Sequence, residues 1–208
     1  MAKNLLYAAG HGNLKEAQRF LDKGVDVDTP FNTGLTALSN AAFAGQLEMV
    51  RFLLSKGADP NRASELGVTP LRAATRNSRV NVIPCLVEAG ADLTHRDGEG
   101  QTCTLVAACW STLETLQTLV EAGASPLDRS PEGHTTLMMA AFNNDQSQER
   151  LEYLLEQGVE INAVTEAGAS AYSYANEKGH HAVRDYLVSR GAEVNDYISP
   201  WRRKKVEE

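Results

Sequence analysis

The chain has 208 residues, of which 42% are hydrophobic and 6% aromatic, and its formal net charge is −7 at pH 7. A negative surface repels phosphate backbones, so this charge argues against nucleic-acid binding and favours a basic or mixed protein partner. No apolar run is long enough to span a membrane, and repeat sequence begins within a few residues of Met1, which leaves no room for a signal peptide.

The three cysteines are Cys85, Cys103 and Cys109. They contain no CxxC pair and leave one thiol over from any disulfide, which argues against a disulfide framework and favours a reducing compartment. We therefore expect a cytoplasmic protein.

Glycine recurs at a fixed spacing along almost the whole chain. Steps of 33 residues, with a single step of 35, separate the members of two sets: Gly24, Gly57, Gly90, Gly123, Gly158 and Gly191, and Gly34, Gly67, Gly100, Gly133 and Gly168. Self-similarity at this period predicts a repeat array in which each unit packs only on its neighbours. We therefore expect an all-α repeat solenoid with a shallow, extended core.

Each unit contains the signals of two short helices. Thr69 precedes Pro70, a combination that favours a helix start because the hydroxyl caps free amides and proline has no N–H to satisfy there. Val50 and Leu53 are spaced by about one turn on a second helix, which Gly57 ends as a left-handed cap. The stretch after this helix reverses near the next glycine, which predicts a hairpin-like finger.

Several segments resemble the ankyrin repeat, including Gly34-Leu-Thr-Ala-Leu38, Gly67-Val-Thr-Pro-Leu71 and Gly57-Ala-Asp-Pro-Asn61. The resemblance covers about residues 4–195. It implies an ankyrin-type stack of helix-turn-helix layers with short β-hairpin fingers, in which fingers and first helices line a concave face. We divide the chain into a single domain, 1–197, and a short basic tail, 198–208. The six repeats are about 1–30, 31–63, 64–96, 97–129, 130–164 and 165–197.

The chain departs from the family pattern in three respects. Pro84 falls within the second helix of repeat three, which it should shorten or kink, so we expect a weak joint between repeats three and four. Repeat five is two residues longer, and we place the extra residues in a loop within 143–148. The histidine that usually follows Thr-Pro-Leu is absent throughout, so we expect its hydrogen bond to be missing and the array to be less stable. Its positions hold Ser39, Arg72, Leu105, Met138 and Ser173.

The resemblance also indicates which residues face a partner. Large side chains occupy first-helix positions that usually face the groove, and tryptophan, phenylalanine and arginine are common interface anchors. The alternative for Phe43 and Phe142 is packing between adjacent helices. The predicted protein-binding residues are Phe43, Arg76, Trp110 and Phe142 on the helices, with Phe31, Leu35, Leu66, Val68, Glu99 and His134 at or near the finger tips. We expect the groove to be apolar at one end and polar at the other.

A search for catalytic and metal-binding patterns is negative. The five histidines lie in separate settings without cysteine or carboxylate at metal-ligand spacing, and no phosphate-binding loop is present. We therefore predict a non-enzymatic protein–protein interaction module without a cofactor, monomeric on its own, and acting as an inhibitor, an immunity-type protein or a scaffold. The alternatives are an enzyme or small-ligand binder that uses Cys109 and His134, or a self-assembling array.

Overall fold

The computed structural model of the protein describes residues 4–143, 148–195 and 197. Over these residues the chain forms twelve α-helices, taken in pairs along the sequence, and the first helix of each pair packs on the first helix of the next. The helices are α1 (Leu5–Gly10), α2 (Leu14–Asp22), α3 (Ala37–Ala44), α4 (Leu47–Ser55), α5 (Pro70–Arg76), α6 (Ile83–Glu88), α7 (Cys103–Trp110), α8 (Leu113–Glu121), α9 (Thr136–Phe142), α10 (Gln148–Glu156), α11 (Ala171–Lys178) and α12 (His181–Ser189). The predicted all-α repeat solenoid is confirmed, while the repeat boundaries stay a prediction.

Hydroxyl side chains begin most of the first helices. Thr36 and Thr69 each accept a hydrogen bond from the backbone N–H three residues on, which satisfies one of the free amides at a helix start. Pro70 occupies the first turn of α5, as its missing N–H allows. Gly57 follows α4 with φ of +87°, so the predicted left-handed end is also confirmed.

The core is a thin layer built from periodic small and large residues. Alanine is buried at matching positions of the first helices, so these helices approach each other closely. The second helices contribute leucines to the same core. The first helices therefore form a continuous packed row along the stack. The leucine column consists of Leu53, Leu86, Leu119, Leu154 and Leu187, each with no exposed surface.

The fingers are tight hairpin turns. Their common feature is a backbone hydrogen bond between residues four apart: Phe31 to Leu35, Ser64 to Val68, Asp97 to Gln101, Ser130 to His134 and Thr165 to Ala169. Within the described residues only two isolated antiparallel bridges occur, at Phe31–Leu35 and Arg129–Thr135. Adjacent fingers also bond to each other, since Glu65 N donates to Thr33 O at 3.0 Å. A Cβ on Gly34 would lie 2.9 Å from that Glu65 nitrogen, which explains the glycine.

A recurrent side-chain bond joins each repeat to the one before it. The last carbonyls of an α-helix have no partner within the helix, so they must accept from elsewhere. Here a side chain of the following repeat, in or near its inter-helix turn, donates to a carbonyl at the end of the preceding first helix, and we call this the inter-repeat cap. The caps are Gln46 Nε2 to Gly10 O (3.4 Å), Arg79 Nε to Phe43 O (3.0 Å), Ser111 Oγ to Thr75 O (2.6 Å), Arg150 Nη1 to Ala108 O (3.3 Å) and His180 Nδ1 to Ala141 O (3.1 Å).

Pro84 shortens its helix, as predicted. A single 3₁₀ turn, Val80–Val82, precedes α6, which has six residues where α4 and α8 have nine. Proline lies in the first turn of α6, where its missing N–H costs no hydrogen bond. The weak joint between repeats three and four stays a prediction.

Two predicted features fall on residues that the structure does not describe. The loop expected within 143–148 falls mainly on residues 144–147, and the basic tail is 198–208. Both lie outside the described residues.

At two of the positions where the family has histidine, another side chain makes a hydrogen bond to the residue that caps the helix. Ser173 Oγ accepts from the N–H of Ser170 at 2.8 Å, and Met138 Sδ accepts from the N–H of Thr135 at 3.4 Å. These side chains therefore bond the residue that caps their own helix. The lower stability expected from the missing histidine stays a prediction.

We predict that Ser111→Ala destabilises the protein by about 1–2 kcal/mol, because it removes a buried inter-repeat cap and leaves the Thr75 carbonyl without this donor. The matched control is Ser55→Ala, since Ser55 Oγ makes a bond of the same length, 2.6 Å, to Phe52 O on the exposed surface. The control should change stability by less than about 0.5 kcal/mol. Chemical denaturation measures both, and equal losses would contradict the role given to the cap.

Candidate protein-interaction face

Three large residues lie exposed at the ends of successive first helices. Phe43 at the end of α3 keeps 51% of its surface exposed, and Trp110 at the end of α7 keeps 50%. Arg76 ends α5 between them and is also exposed. Phe43 is therefore not part of the buried core. The core uses little of these side chains, which leaves them available to a partner.

Arg76 and Trp110 form a stacked pair across repeats three and four. The guanidinium carbon of Arg76 lies 4.3 Å from the centroid of the Trp110 ring. A cation over an indole face is attracted by the ring quadrupole, with about 0.5–1 kcal/mol at an exposed site. The stacking favours one orientation of both long side chains on the surface.

An apolar depression of about 380 Å³ lies between repeats two and three. Phe43 and Arg76 line it together with the finger residues Leu35 and Val68, so the structure brings four of the predicted site residues together. The remaining lining residues are Ser39, Asn40, Arg72, Ala73 and Asn77. This set matches the apolar end of the groove that the sequence predicts.

An ion pair holds one wall of the apolar depression. Arg72 Nη2 lies 2.7 Å from Asp97 Oδ2, and its Nε donates to the same oxygen at 2.8 Å. The Asp97 side chain is 3% exposed, and its other oxygen accepts from the N–H groups of Glu99 and Gln101. Arg72 thus joins α5 to the next finger, a contact that sequence analysis missed because its partner lies 25 residues away.

A second depression, of about 270 Å³, lies further along the groove, at repeats four to six. His134 and Phe142 line it with Tyr174, which sequence analysis missed. His134 Nε2 lies 2.7 Å from Tyr174 Oη, and Phe142 meets the Tyr174 ring edge-on at a centroid distance of 5.9 Å. Phe142 is half-buried, and Lys178 Nζ lies 3.9 Å from its ring centroid. Phe142 is therefore partly a packing residue.

Electrostatics at this end follow from burial and local hydrogen bonds. Burial, reinforced by the negative forms of Tyr197, Glu177 and Glu132, raises the pKa of Tyr174 to about 12. The hydroxyl of Ser130 bonds Glu132 at 2.8 Å and lowers the pKa of that carboxyl. A further depression, of about 440 Å³, includes Glu132, His134 and Glu166 in its lining, which makes this end more polar.

The other predicted finger residues lie apart from these depressions. Leu66 is 70% exposed and Phe31 is 40% exposed, and Glu99 is exposed at its finger tip. None of the three lines the apolar depression.

The residues proposed for an enzymatic alternative do not form a reactive pair. Cys109 is 1% exposed, and burial raises the pKa of its thiol to about 11 although Arg76, Arg150 and Lys178 oppose the shift. Both ring nitrogens of His134 are engaged, Nδ1 with Ser130 Oγ at 2.9 Å and Nε2 with Tyr174. Within the part of the chain that the structure describes, no group of three or more histidine, cysteine or acidic residues is placed to hold a metal ion.

Three other histidines have structural partners. His11, His95 and His180 each bond a backbone carbonyl, at 2.9, 2.9 and 3.1 Å. Across residues 4–143 and 148–195, no helix is both long and apolar enough to cross a bilayer.

Comparisons with known proteins agree with this architecture. A family model described as ankyrin repeats (3 copies) matches residues 3–64 and 105–198. The unmatched stretch between them contains two of the departures from the pattern, Arg72 and Pro84. No curated protein sequence matches the chain.

One solved structure is similar over nearly the whole chain. It is the complex of the predatory endopeptidase Bd0816 from Bdellovibrio bacteriovorus with the immunity protein Bd3460, and the similar chain is the immunity protein. The TM-score is 0.79 at 27% sequence identity, and the match covers 91% of this chain and 98% of that chain.

We predict that Arg72→Met destabilises the protein by about 2 kcal/mol, because it leaves the buried carboxylate of Asp97 without its cation. The double variant Arg72→Met, Asp97→Asn should recover part of this loss, since asparagine is neutral and its oxygen still accepts from the finger. Arg51→Met on the exposed side of α4 is the matched control. If denaturation midpoints show no recovery in the double variant, the buried charge is not the cause.

We predict a fixed order of thiol alkylation by iodoacetamide at mildly alkaline pH. Cys85 is half-buried and should react first, whereas burial raises the pKa of Cys103 to about 12 and that of Cys109 to about 11. Cys103 and Cys109 should react only after the protein is unfolded in denaturant. Alkylation of all three cysteines in the unfolded protein is the control. Mass spectrometry of tryptic peptides measures this, and rapid modification of native Cys109 would revive the enzymatic alternative.

Proposed function

Because the chain belongs to the ankyrin repeat family, we propose that it is a non-enzymatic protein-binding module of the immunity type, which covers a protein partner with its concave face. The observation that carries the proposal is the row formed by Phe43, Arg76 and Trp110. Aromatic and arginine side chains are the types that most often anchor interfaces, and here the fold leaves them exposed.

The similar solved structure supports the immunity option among the three kinds of binder. That immunity protein is found in complex with an endopeptidase, and this chain matches it over almost its full length. A rigid concave array can inhibit a hydrolase by occlusion, because a surface of about 800 Å² per partner is enough to cover an active-site cleft. We propose a partner of this class, a hydrolase whose activity would harm the cell that makes it.

Charge and thiol chemistry support the remaining parts of the proposal. The net charge of −7 suits a partner with a basic or mixed surface. The three cysteines are free thiols, as is usual in a reducing compartment, and we propose a cytoplasmic location. We further propose that the protein is monomeric without its partner.

The test is affinity capture from the native cell with the wild-type protein and the triple variant Phe43→Ala, Arg76→Ala, Trp110→Ala. We expect the wild type to retain a hydrolase that the variant loses. Trp110→Ala alone should cost about 2 kcal/mol of binding, or about 30-fold in Kd. The purified hydrolase should lose activity when one equivalent of wild-type protein is added.

The matched control changes three exposed residues on second helices, Leu14→Ala, Arg51→Ala and Val188→Ala. It should retain the partner, and unfolding midpoints should show that both triple variants are folded. Capture of the same partner by the concave-face variant would contradict the proposed site. Capture of no hydrolase, or of one that stays fully active in the complex, would contradict the immunity function.

A further inference from the structure

The apolar depression presents mainly hydrocarbon to a partner. Several of its polar side chains already bond within the chain: Asn40 Nδ2 donates to Leu6 O at 2.8 Å, and Asn77 Nδ2 donates to Ala73 O at 2.9 Å. Arg72 is bound to Asp97. Leu35, Phe43, Val68 and Ala73 supply apolar surface. A volume of about 380 Å³ accepts one large apolar side chain, and such filling of a preformed pocket is how interface anchors gain affinity.

Arg76 at the edge of this depression is stacked on an aromatic ring rather than paired with a carboxylate of the described residues. Arg129, Arg184 and Arg190 each pair with a carboxylate of the chain. Among the residues that the structure describes, no carboxylate pairs with Arg76, although acidic residues outnumber basic ones by 27 to 20. Its guanidinium lies on the Trp110 ring instead, so a planar fork of donors is held in place beside an apolar cavity.

The positive charge of the Arg76 guanidinium favours a partner segment with a negative residue next to the apolar side chain that enters the depression. A guanidinium pairs with a carboxylate in a bidentate manner, and the pairing is stronger when the arginine is already ordered. The Asp97 carboxylate presents little negative surface to a partner, because it is paired with Arg72 and its side chain is 3% exposed. A lysine or arginine of the partner at this place would be repelled by the Arg76 guanidinium.

We infer that the apolar depression and Arg76 together bind a partner segment in which a large apolar side chain stands next to a carboxylate. The inference rests on the proposed function and names the chemistry of the segment that the concave face recognises at repeats two and three. The apolar side chain enters the depression between Phe43 and Val68, and the carboxylate pairs with Arg76.

The test is selection of a phage-displayed library of short random peptides on the immobilised protein. We expect the wild type to enrich peptides with phenylalanine, tryptophan, leucine or methionine beside aspartate or glutamate. Arg76→Glu should instead enrich peptides with lysine or arginine beside the apolar residue, because the sign of the selecting charge is reversed. Arg51→Glu, the same change on the exposed side of α4, should enrich the wild-type set.

A second variant tests the apolar half of the motif independently. Phe43→Ser removes a half-exposed ring and should abolish the preference for large apolar residues. For the best synthetic peptide, fluorescence anisotropy should show a loss of at least about tenfold with Arg76→Glu and less than about twofold with Arg51→Glu. Unfolding midpoints confirm that each variant is folded.

Three results would overturn the inference: no enrichment over an uncoated surface, enriched peptides without the apolar–acidic pair, or the same peptides selected by Arg76→Glu and the wild type. These failures are distinguishable from failure of the proposed function. If a hydrolase is captured and inhibited while peptide selection fails, the immunity function stands and the stated segment chemistry is wrong.

Discussion

The inter-repeat cap is the interaction on which the rest of the structure depends. The last carbonyls of an α-helix have no partner within the helix, and a side chain of the next repeat donates to one of them. One of the accepting carbonyls belongs to Phe43, a residue of the proposed binding face. The same bond that sets the position of one repeat on the next therefore also fixes where the exposed side chains lie.

This arrangement gives the concave face its order before any partner arrives. Association costs conformational entropy for each side chain that must be immobilised, and a preordered surface reduces that cost. Arg76 is ordered by the Trp110 ring, and His134 is ordered by its bonds to Ser130 and Tyr174. A rigid array of this kind suits tight covering of one partner better than adaptation to many.

Sequence analysis predicted the features that depend on residues close together along the chain. The cap at Thr69, the left-handed glycine after α4 and the shortened helix at Pro84 all follow from local chemistry. The exposure of Phe43 also agrees with the register of the first helices.

Contacts between repeats could not be predicted in the same way. The inter-repeat caps use glutamine, arginine, serine and histidine, because a carbonyl accepts from any donor that reaches it, so no single residue type marks the position. The stacking of Arg76 on Trp110 and the bond from His134 to Tyr174 depend on the rotation between neighbouring units. Helical and turn patterns do not encode that rotation.

Hydrogen–deuterium exchange of the protein alone and bound to its captured partner tests the central claim most directly. The account predicts slower exchange on binding in the finger segments 31–35, 64–68 and 97–101 and at the ends of α3, α5 and α7. The second helices α2, α4 and α8 should be unchanged. Protection confined to those second helices would contradict a partner bound in the concave face.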